Sequence, residues 1–353
     1  MCAYTQKILK FSEMMTELGH EVYLYCGEGS DVKCTELIQC ITNQERIDCY
    51  GDYDWRTEFF KHDGKDSAYV TFNNNAVREI NKRKENKDIL CITMGNYQQV
   101  VIDGTGLLAV ETGIGYTGTC TKFKVYESYS WMHYMYGITR VNDGPSYDCV
   151  IPNYFYPADF PYVKKKKDYY LYIGRIILRK GVDIAVQVTK EIGATLIIAG
   201  QGTLKNETEH IDIQGDHIKF VGSVLSAERS VLMGNAKAVF VPTYYIEPFG
   251  GVAVEAMMCG TPVITSDWGA FTETVLHGVT GYRCRTIDDY IWSAKNINKI
   301  STRACRDWAI RNFSCERIGA MYEEYFFKIM DLWKSGWGEL HPERTELNWL
   351  RKY

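Results

Sequence analysis

Two carboxylates flank a glycine pair in Glu247-Pro248-Phe249-Gly250-Gly251-Val252-Ala253-Val254-Glu255. A glycine-bearing loop that runs into a helix presents the helix's first amides and the positive end of its dipole. With no side chain in the way, a ligand can reach that backbone closely, so the loop is an anion site suited to phosphate. Carboxylates are poor neighbours for phosphate and good ones for sugar hydroxyls. Glu247 stands just before the expected helix and Glu255 about a turn inside it, roughly 6 Å farther along at ~1.5 Å per residue. The pattern therefore suits a phosphate with hydroxylated groups on both sides, which describes a nucleotide sugar. Gly174-Arg175 through Lys180-Gly181 adds two cations on a strand-to-helix loop. Arg175 offers a planar fork for phosphate oxygens and Lys180 a point charge, enough with the helix amides to neutralise a diphosphate without a metal.

The elements that must hold these residues read as a regular α/β series. Strands are expected at Tyr169 to Ile173, Ala194 to Ala199, Ile218 to Val221, Ala238 to Pro242 and Pro262 to Thr265, with helices at Val182 to Ile192, Ala227 to Gly234 and Val252 to Met258. Each apolar run is bounded by a glycine loop, the mark of a parallel sheet whose ligand loops sit at the strands' carboxyl ends. After a turn at Gly278 to Gly281, helices follow near Ile287 to Ile297, Thr302 to Asn312 and Glu316 to Trp333.

The first half is less regular. A helix is expected from Ala3 to Leu18 and a strand from His20 to Tyr25, so the series begins on a helix where an α/β sheet normally begins on a strand. Either a first strand is lost, for example through a truncated reading frame, or the sheet tolerates its absence; a strand and glycine loop upstream of Met1 would mark the chain as a fragment. Gly27 to Lys87 reads as polar and irregular apart from a helix near Ala76 to Lys84. Strands at Ile89 to Thr93 and Gly106 to Glu111 lead into glycine loops, which makes Glu111, Thr112, Gly113 and Tyr116 the candidate cleft residues of this half. Gly113 to Gly118 spells G-x-G-x-x-G, but deep in the chain and crowded by Tyr116 and two threonines, so a loop closing over a bound donor is expected rather than a dinucleotide fingerprint. Phe123 to Tyr136 reads as one aromatic packed helix in which Glu127 and His133 could face a cleft, with His133 structural. Tyr154 to Lys167 reads as a linker, its run Lys164 to Lys167 as solvated. Asp52-Tyr53-Asp54 is formally a metal-binding D-x-D, but it lies outside any strand-to-helix context and is read as a loop feature; no metal is expected.

Composition agrees with two globular domains in 353 residues, with 46% apolar and 24% charged residues. A formal charge of −4 gives no general case for nucleic-acid binding. Twelve cysteines without a C-x-x-C pair suit buried thiols better than a disulfide framework. No signal pattern is read after Met1, and no apolar run approaches the ~20 residues of a membrane span. A cytoplasmic location is expected, with peripheral membrane contact open.

At Glu247 and Glu255, spaced as E-x7-E, the chain resembles the retaining GT-B glycosyltransferases, specifically glycosyltransferase family 4. Further matches are Gly174-Arg175 with Lys180-Gly181, Ile151-Pro152-Asn153 with Phe160, Ala199-Gly200-Gln201-Gly202, Phe220-Val221-Gly222, Gly260-Thr261-Pro262-Val263 and Phe313-Ser314; Leu18 to Val22 matches more loosely. The resemblance implies an α/β, GT-B fold of two Rossmann-like domains facing a cleft, the N-terminal one lacking its first strand. Residues 1–160 would form the acceptor domain, 161–325 the nucleotide-sugar domain, and 326–353 a helix and tail packing back on the first. It implies a hexose transferred from a nucleoside diphosphate sugar to a hydroxyl acceptor, with no cofactor. Arg175 and Lys180 beside Gly174 would bind the diphosphate, Glu247 the transferred sugar, and Pro248, Phe249, Gly250 and Gly251 would line the loop, the last three lending amides. Glu255 would hold the ribose, and Gly222, Ser223 and Val224 would lie near the base. Where the family often carries a histidine after the central N-terminal strand, this chain has Glu111-Thr112. That departure, with the missing strand, leaves a second expectation: a catalytically impaired or partner-dependent nucleotide-sugar-binding protein.

Overall fold

The computed structural model describes residues 3–332, apart from residues 53, 55–57, 59–62 and 146. Tyr53 of the D-x-D triplet and the tail 333–353 thus lie outside the described residues.

The N-terminal half runs α1 (Ala3–Glu17), β1 (Tyr23–Gly27), β2 (Glu36–Ile41), α2 (Asn43–Tyr50), α3 (Ser67–Arg83), β3 (Ile89–Ile92), α4 (Gln99–Thr105), β4 (Leu108–Ile114), β5 (Phe123–Tyr126), α5 (Tyr129–Thr139) and β6 (Cys149–Val150). The strands make two separate parallel sheets, β1-β2 and β3-β4-β5-β6. β1 and β3 do not pair with each other, yet residues of both line one cavity with Ile8, Phe11 and Met15 of α1. Every residue of β4 is buried, whereas β1 has none buried and β3 only Ile92. Strands in the middle of a parallel sheet are normally covered on both faces, and β1 and β3 differ from β4 in each pairing with a single neighbour among the described residues.

Two stretches differ from the sequence reading. The polar span Gly27 to Lys87 contains β2, α2 and a 17-residue α3 that starts at Ser67. Thr42 and Glu45 form a reciprocal capping box at the start of α2, and three consecutive asparagines, Asn73 to Asn75, blur the apolar rhythm of α3. The aromatic block is not one helix. Phe123, Val125 and Tyr126 are buried in β5, and Ser128 caps α5 by accepting from the Trp131 amide.

The C-terminal half runs β7 (Tyr170–Ile173), α6 (Val182–Glu191), β8 (Leu196–Ala199), a two-residue pair β9 (Lys205–Asn206) and β10 (Ile211–Asp212), β11 (Ile218–Gly222), α7 (Ser226–Asn235), β12 (Ala238–Val241), α8 (Gly251–Met258), β13 (Val263–Ser266), α9 (Phe271–Thr274), β14 (Gly281–Cys284), α10 (Ile287–Asn296), α11 (Thr302–Phe313) and α12 (Cys315–Leu332). Its six-stranded parallel sheet has the order β11-β8-β7-β12-β13-β14. The four-residue runs YLYI, LIIA, AVFV and VITS are wholly buried, as expected of strands covered on both faces. β14, which pairs with β13, follows directly on the turn expected at Gly278 to Gly281.

The chain passes between the halves twice, and the passages bond to each other. The Phe155 amide donates to the Phe313 carbonyl at 2.9 Å, and the Cys315 amide to the Phe155 carbonyl at 2.9 Å. Arg306 donates to the carbonyls of Phe160, Met258 and Pro157 beside this crossing. From Cys315 onward α12 buries Ile318, Tyr322, Tyr325 and Ile329 in the N-terminal core. The expected linker is therefore packed: Phe155 and Phe160 are buried, and Lys166 donates to Gly234 and Thr261, while Lys164, Lys165 and Lys167 are exposed. The described cysteines form no disulfide. Among the described residues no helix is long and apolar enough to cross a membrane, and no cluster of three metal-ligating side chains occurs.

Candidate active site

A cavity of about 2150 Å³ lies between the two halves. Its C-terminal wall is built at the carboxyl ends of β7 and β11 and the start of α8: Gly174, Arg175, Lys180, Ser223, Val224 and Val252 all line it. The facing wall comes from Thr93, Met94, Asn96 and Tyr116 to Gly118. A smaller pocket beneath it is lined by Gly174, Lys180, Thr243, Glu247, Gly250 and Gly251. Residues 174 to 251 in sequence thus converge on one place.

Local backbone explains the loop. Gly250, at φ 79°, is the N-terminal flank of α8, and a Cβ there would meet the Phe271 ring at 2.4 Å. Only glycine satisfies both the left-handed angle and the contact. Phe249 does not face the cavity. It is 2% exposed, stacked on Phe155 and edge-on to Phe313, so it anchors the loop while the backbone beside it stays at the helix N-terminus. The Pro248 carbonyl accepts from Ser128 of the other half.

The charged groups are paired with each other. Lys180 donates to Glu247 Oε2 at 2.9 Å, and Tyr245 donates to the same oxygen at 2.7 Å while contacting the Lys180 ammonium. Burial first, and the Glu247 carboxylate second, push the Tyr245 phenol above its ordinary value, so it remains a donor. Its ring also carries the Arg179 guanidinium 5.1 Å and the Lys180 ammonium 4.8 Å from its centroid. Tyr245 was not legible as a site residue, although its place two before Glu247 is the available signal. Glu255 is 7% exposed and takes Arg229 of α7 on Oε1 at 2.9 Å; Oε2 is buried with no partner among the described residues. Burial raises its pKa and Arg229 opposes the rise. An unsatisfied buried carboxylate oxygen can accept a ligand hydroxyl. Arg175 is exposed at the cavity wall, and Gly222 has open space around its Cβ position.

On the opposite side the candidate residues are largely committed to holding the fold. Glu111 is fully buried and accepts from the Tyr116 hydroxyl, the Cys120 and Thr121 amides and the Thr121 hydroxyl, so it pins the 116–121 loop. Thr112 is buried, and the Gly113 carbonyl accepts from Lys7, which also pairs with Glu127 at 2.6 Å. Of the four, Tyr116 lines the cavity. Glu127 thus meets a lysine of α1, and His133 is exposed on α5. Arg229 and Lys7 carry no local sequence signal, because their partners lie 26 and 120 residues away.

The family of glycosyl transferases group 1 matches residues 159–304. The chain is 38% identical over 128 residues to the glycogen synthase of Mycobacterium tuberculosis, covering 33% of this chain and 30% of that protein. It is 32% identical over 167 residues to an uncharacterized glycosyltransferase of Methanocaldococcus jannaschii, covering 44% and 40% respectively. The chain thus spans less than half the length of these relatives. Among solved structures, the sucrose-phosphate synthase of Thermosynechococcus elongatus superposes with a TM-score of 0.67 at 16% identity over 94% of each chain. AviGT4, a glycosyltransferase involved in Avilamycin A biosynthesis, superposes with a TM-score of 0.64 at 20% identity, over 92% of this chain and 89% of the other. These two likenesses speak to the fold. Residues 159–304 match the glycosyl transferases group 1 family, and the chain takes the α/β GT-B fold of two Rossmann-like domains.

Proposed function

We propose that the chain is a retaining glycosyltransferase of the family 4 type, moving a hexose from a UDP- or GDP-sugar to a hydroxyl of a glycan, lipid or small-molecule acceptor without a metal ion. The observation that carries this reading is the Lys180–Glu247 pair, bridged by Tyr245, beside the N-terminus of α8. An unliganded site of this kind holds its own charges in balance. When a diphosphate arrives, Lys180 turns from Glu247 to the phosphates, Arg175 joins it, and the α8 amides take a third side. Glu247, released from the lysine, accepts from hydroxyls of the sugar, and Glu255 Oε2 accepts from the ribose. Catalysis then rests on stabilising the departing diphosphate and on positioning the acceptor on the face it leaves, in a cleft that excludes water. The reading includes a cytoplasmic location. The exposed Lys164, Lys165 and Lys167 suit a peripheral contact with anionic lipid.

A second reading, a nucleotide-sugar-binding protein that does not turn over, is favoured by one observation: Glu111 and the Gly113 carbonyl spend their acceptor capacity inside the protein. Calorimetric titration with UDP-glucose and GDP-mannose, followed by an assay of donor hydrolysis and of transfer to a panel of hydroxyl acceptors, separates the two. Binding with turnover is expected. Binding without turnover on every acceptor favours the second reading, and no binding of either donor refutes both.

A further inference from the structure

The segment Gly269 to Glu273 follows β13 and has no part in the donor contacts assigned above. Its contacts reach in two directions. Toward the N-terminal domain, the Glu273 carboxylate accepts from the Tyr129 amide at 2.8 Å, the Ser130 amide at 2.7 Å and the Ser130 hydroxyl at 2.7 Å. These amides belong to the first turn of α5, whose N-terminal donors have no partner within the helix. The third, from Trp131, is taken by Ser128 at 3.1 Å, and Ser128 in turn donates to the Pro248 carbonyl at 2.6 Å. A whole negative charge therefore meets the positive end of an 11-residue helix across the domain boundary.

Toward the donor loop, the same segment is bonded to Glu247 itself. The Ala270 amide donates to the Glu247 carbonyl at 3.0 Å. Gly269, at φ 59°, lies so close that a Cβ there would stand 2.7 Å from the Glu247 nitrogen. Glu247 is thus joined to α5 through Ala270 and Glu273, through Pro248 and Ser128, and through the Gly269 carbonyl, which accepts from the Ser130 hydroxyl at 3.1 Å. Arg283 holds the intervening α9 by donating to the Thr272 carbonyl at 3.0 Å.

We propose that Glu273 is a positioning residue: it docks α5 of the acceptor-side domain onto the donor domain and so fixes the Glu247 loop in the closed cleft. The consequence for Glu247 rests on the transferase reading above; the docking itself does not. Loss of the carboxylate leaves the donor's diphosphate contacts at Arg175 and Lys180 in place, so it acts on the transfer step and not on nucleotide affinity.

The test uses E273A, E273Q and E273D in the full chain, with three readouts: amide exchange at Tyr129 and Ser130, calorimetric affinity for UDP and GDP, and kcat and KM with whichever of UDP-glucose and GDP-mannose the wild type turns over. E273A is expected to lower protection of the two amides about tenfold or more, as befits loss of charge-assisted hydrogen bonds. It is expected to lower kcat about 100-fold, the scale of a displacement near 1 Å at a reacting group, with nucleotide affinity unchanged. E273D, which keeps the charge, should recover part of both, and E273Q, nearly the same shape, carries the test if E273A does not fold. Unchanged kcat, or a fall in nucleotide affinity in step with kcat, overturns the positioning role. Unchanged amide protection overturns the docking. A wild type that binds neither nucleotide fails the transferase reading instead, while amide exchange still decides the docking.

Discussion

Asp148 offers a perturbation whose sign and size both follow from its surroundings. It stands just before β6, with Oδ2 accepting from the Tyr136 hydroxyl at 2.8 Å and Oδ1 buried with no partner among the described residues. Burial raises its pKa to about 6, against the lowering effects of Lys124 and the Tyr136 hydrogen bond. Well below the ordinary 3.8 the folded and unfolded chains both hold the proton, and the site has no effect on their balance. Between about 4 and 6 the folded chain keeps the proton and the unfolded chain releases it, so stability falls as pH rises, and above 6 the loss is complete. From the ordinary 3.8 to about 6, at about 1.4 kcal/mol per pH unit, that loss is about 3 kcal/mol at most. Asp148→Asn keeps an acceptor for Tyr136 and carries no charge. Urea unfolding of wild type and D148N, followed through the N-terminal domain at pH 4, 5, 6 and 7.5, should show a titration-linked difference of only ~0.5 kcal/mol at pH 4 and a widening advantage for D148N, reaching up to about 3 kcal/mol at pH 7.5. Parallel curves at all four values, or a wild type that is the more stable at pH 7.5, would refute the reasoning.

Three further outcomes are expected. Glu247→Ala should cut turnover at least ~100-fold, the scale of one preorganised transition-state contact, and leave UDP or GDP affinity intact; unchanged turnover would remove Glu247 from the reaction. Gly250→Ala combines a left-handed backbone, at roughly 1–2 kcal/mol, with overpacking against the buried Phe271, at roughly 1–3 kcal/mol. It should lower the thermal midpoint of the C-terminal domain and weaken nucleotide binding, as scanning calorimetry with and without UDP or GDP would show. Amides of β1 and β3 should exchange faster than those of β4, because each pairs with a single strand among the described residues and borders the cavity; equal protection measured by NMR would argue that those edges are covered.

The C-terminal half was legible because four of its strands are short, wholly buried runs punctuated by glycine. YLYI, AVFV and VITS leave no competing period, and the loops at Gly174 and Gly250 fall where a parallel sheet puts its ligands. Between Gly27 and Lys87 the same reasoning failed. β2, ELIQCI, buries Ile38, Cys40 and Ile41 around an exposed Gln39, and α3 carries three asparagines along its middle. The Thr42–Glu45 capping box is the local sequence signal of α2. Roles set by distant partners had no local trace. Glu111 looks like a cleft carboxylate until Thr121, ten residues on, occupies it, and Glu273 meets α5 across 143 residues. Sequence spacing reports what one element can present; it does not report who arrives from elsewhere to use it.

The side-by-side crossing at Phe155 and Ser314 has a mechanical meaning. Two covalent tethers bonded to each other cannot slide apart without breaking their shared bridge, but they can twist together. Translation of one domain past the other is therefore blocked near this line, and torsion about it is the soft motion that remains. Residues near the axis, such as Arg306 with its three carbonyl partners, move little during such a swing. Groups set away from it sweep an arc proportional to their distance, so the bonds from α5 and Ser128 to Glu273 and Pro248 are the ones such a swing would strain first.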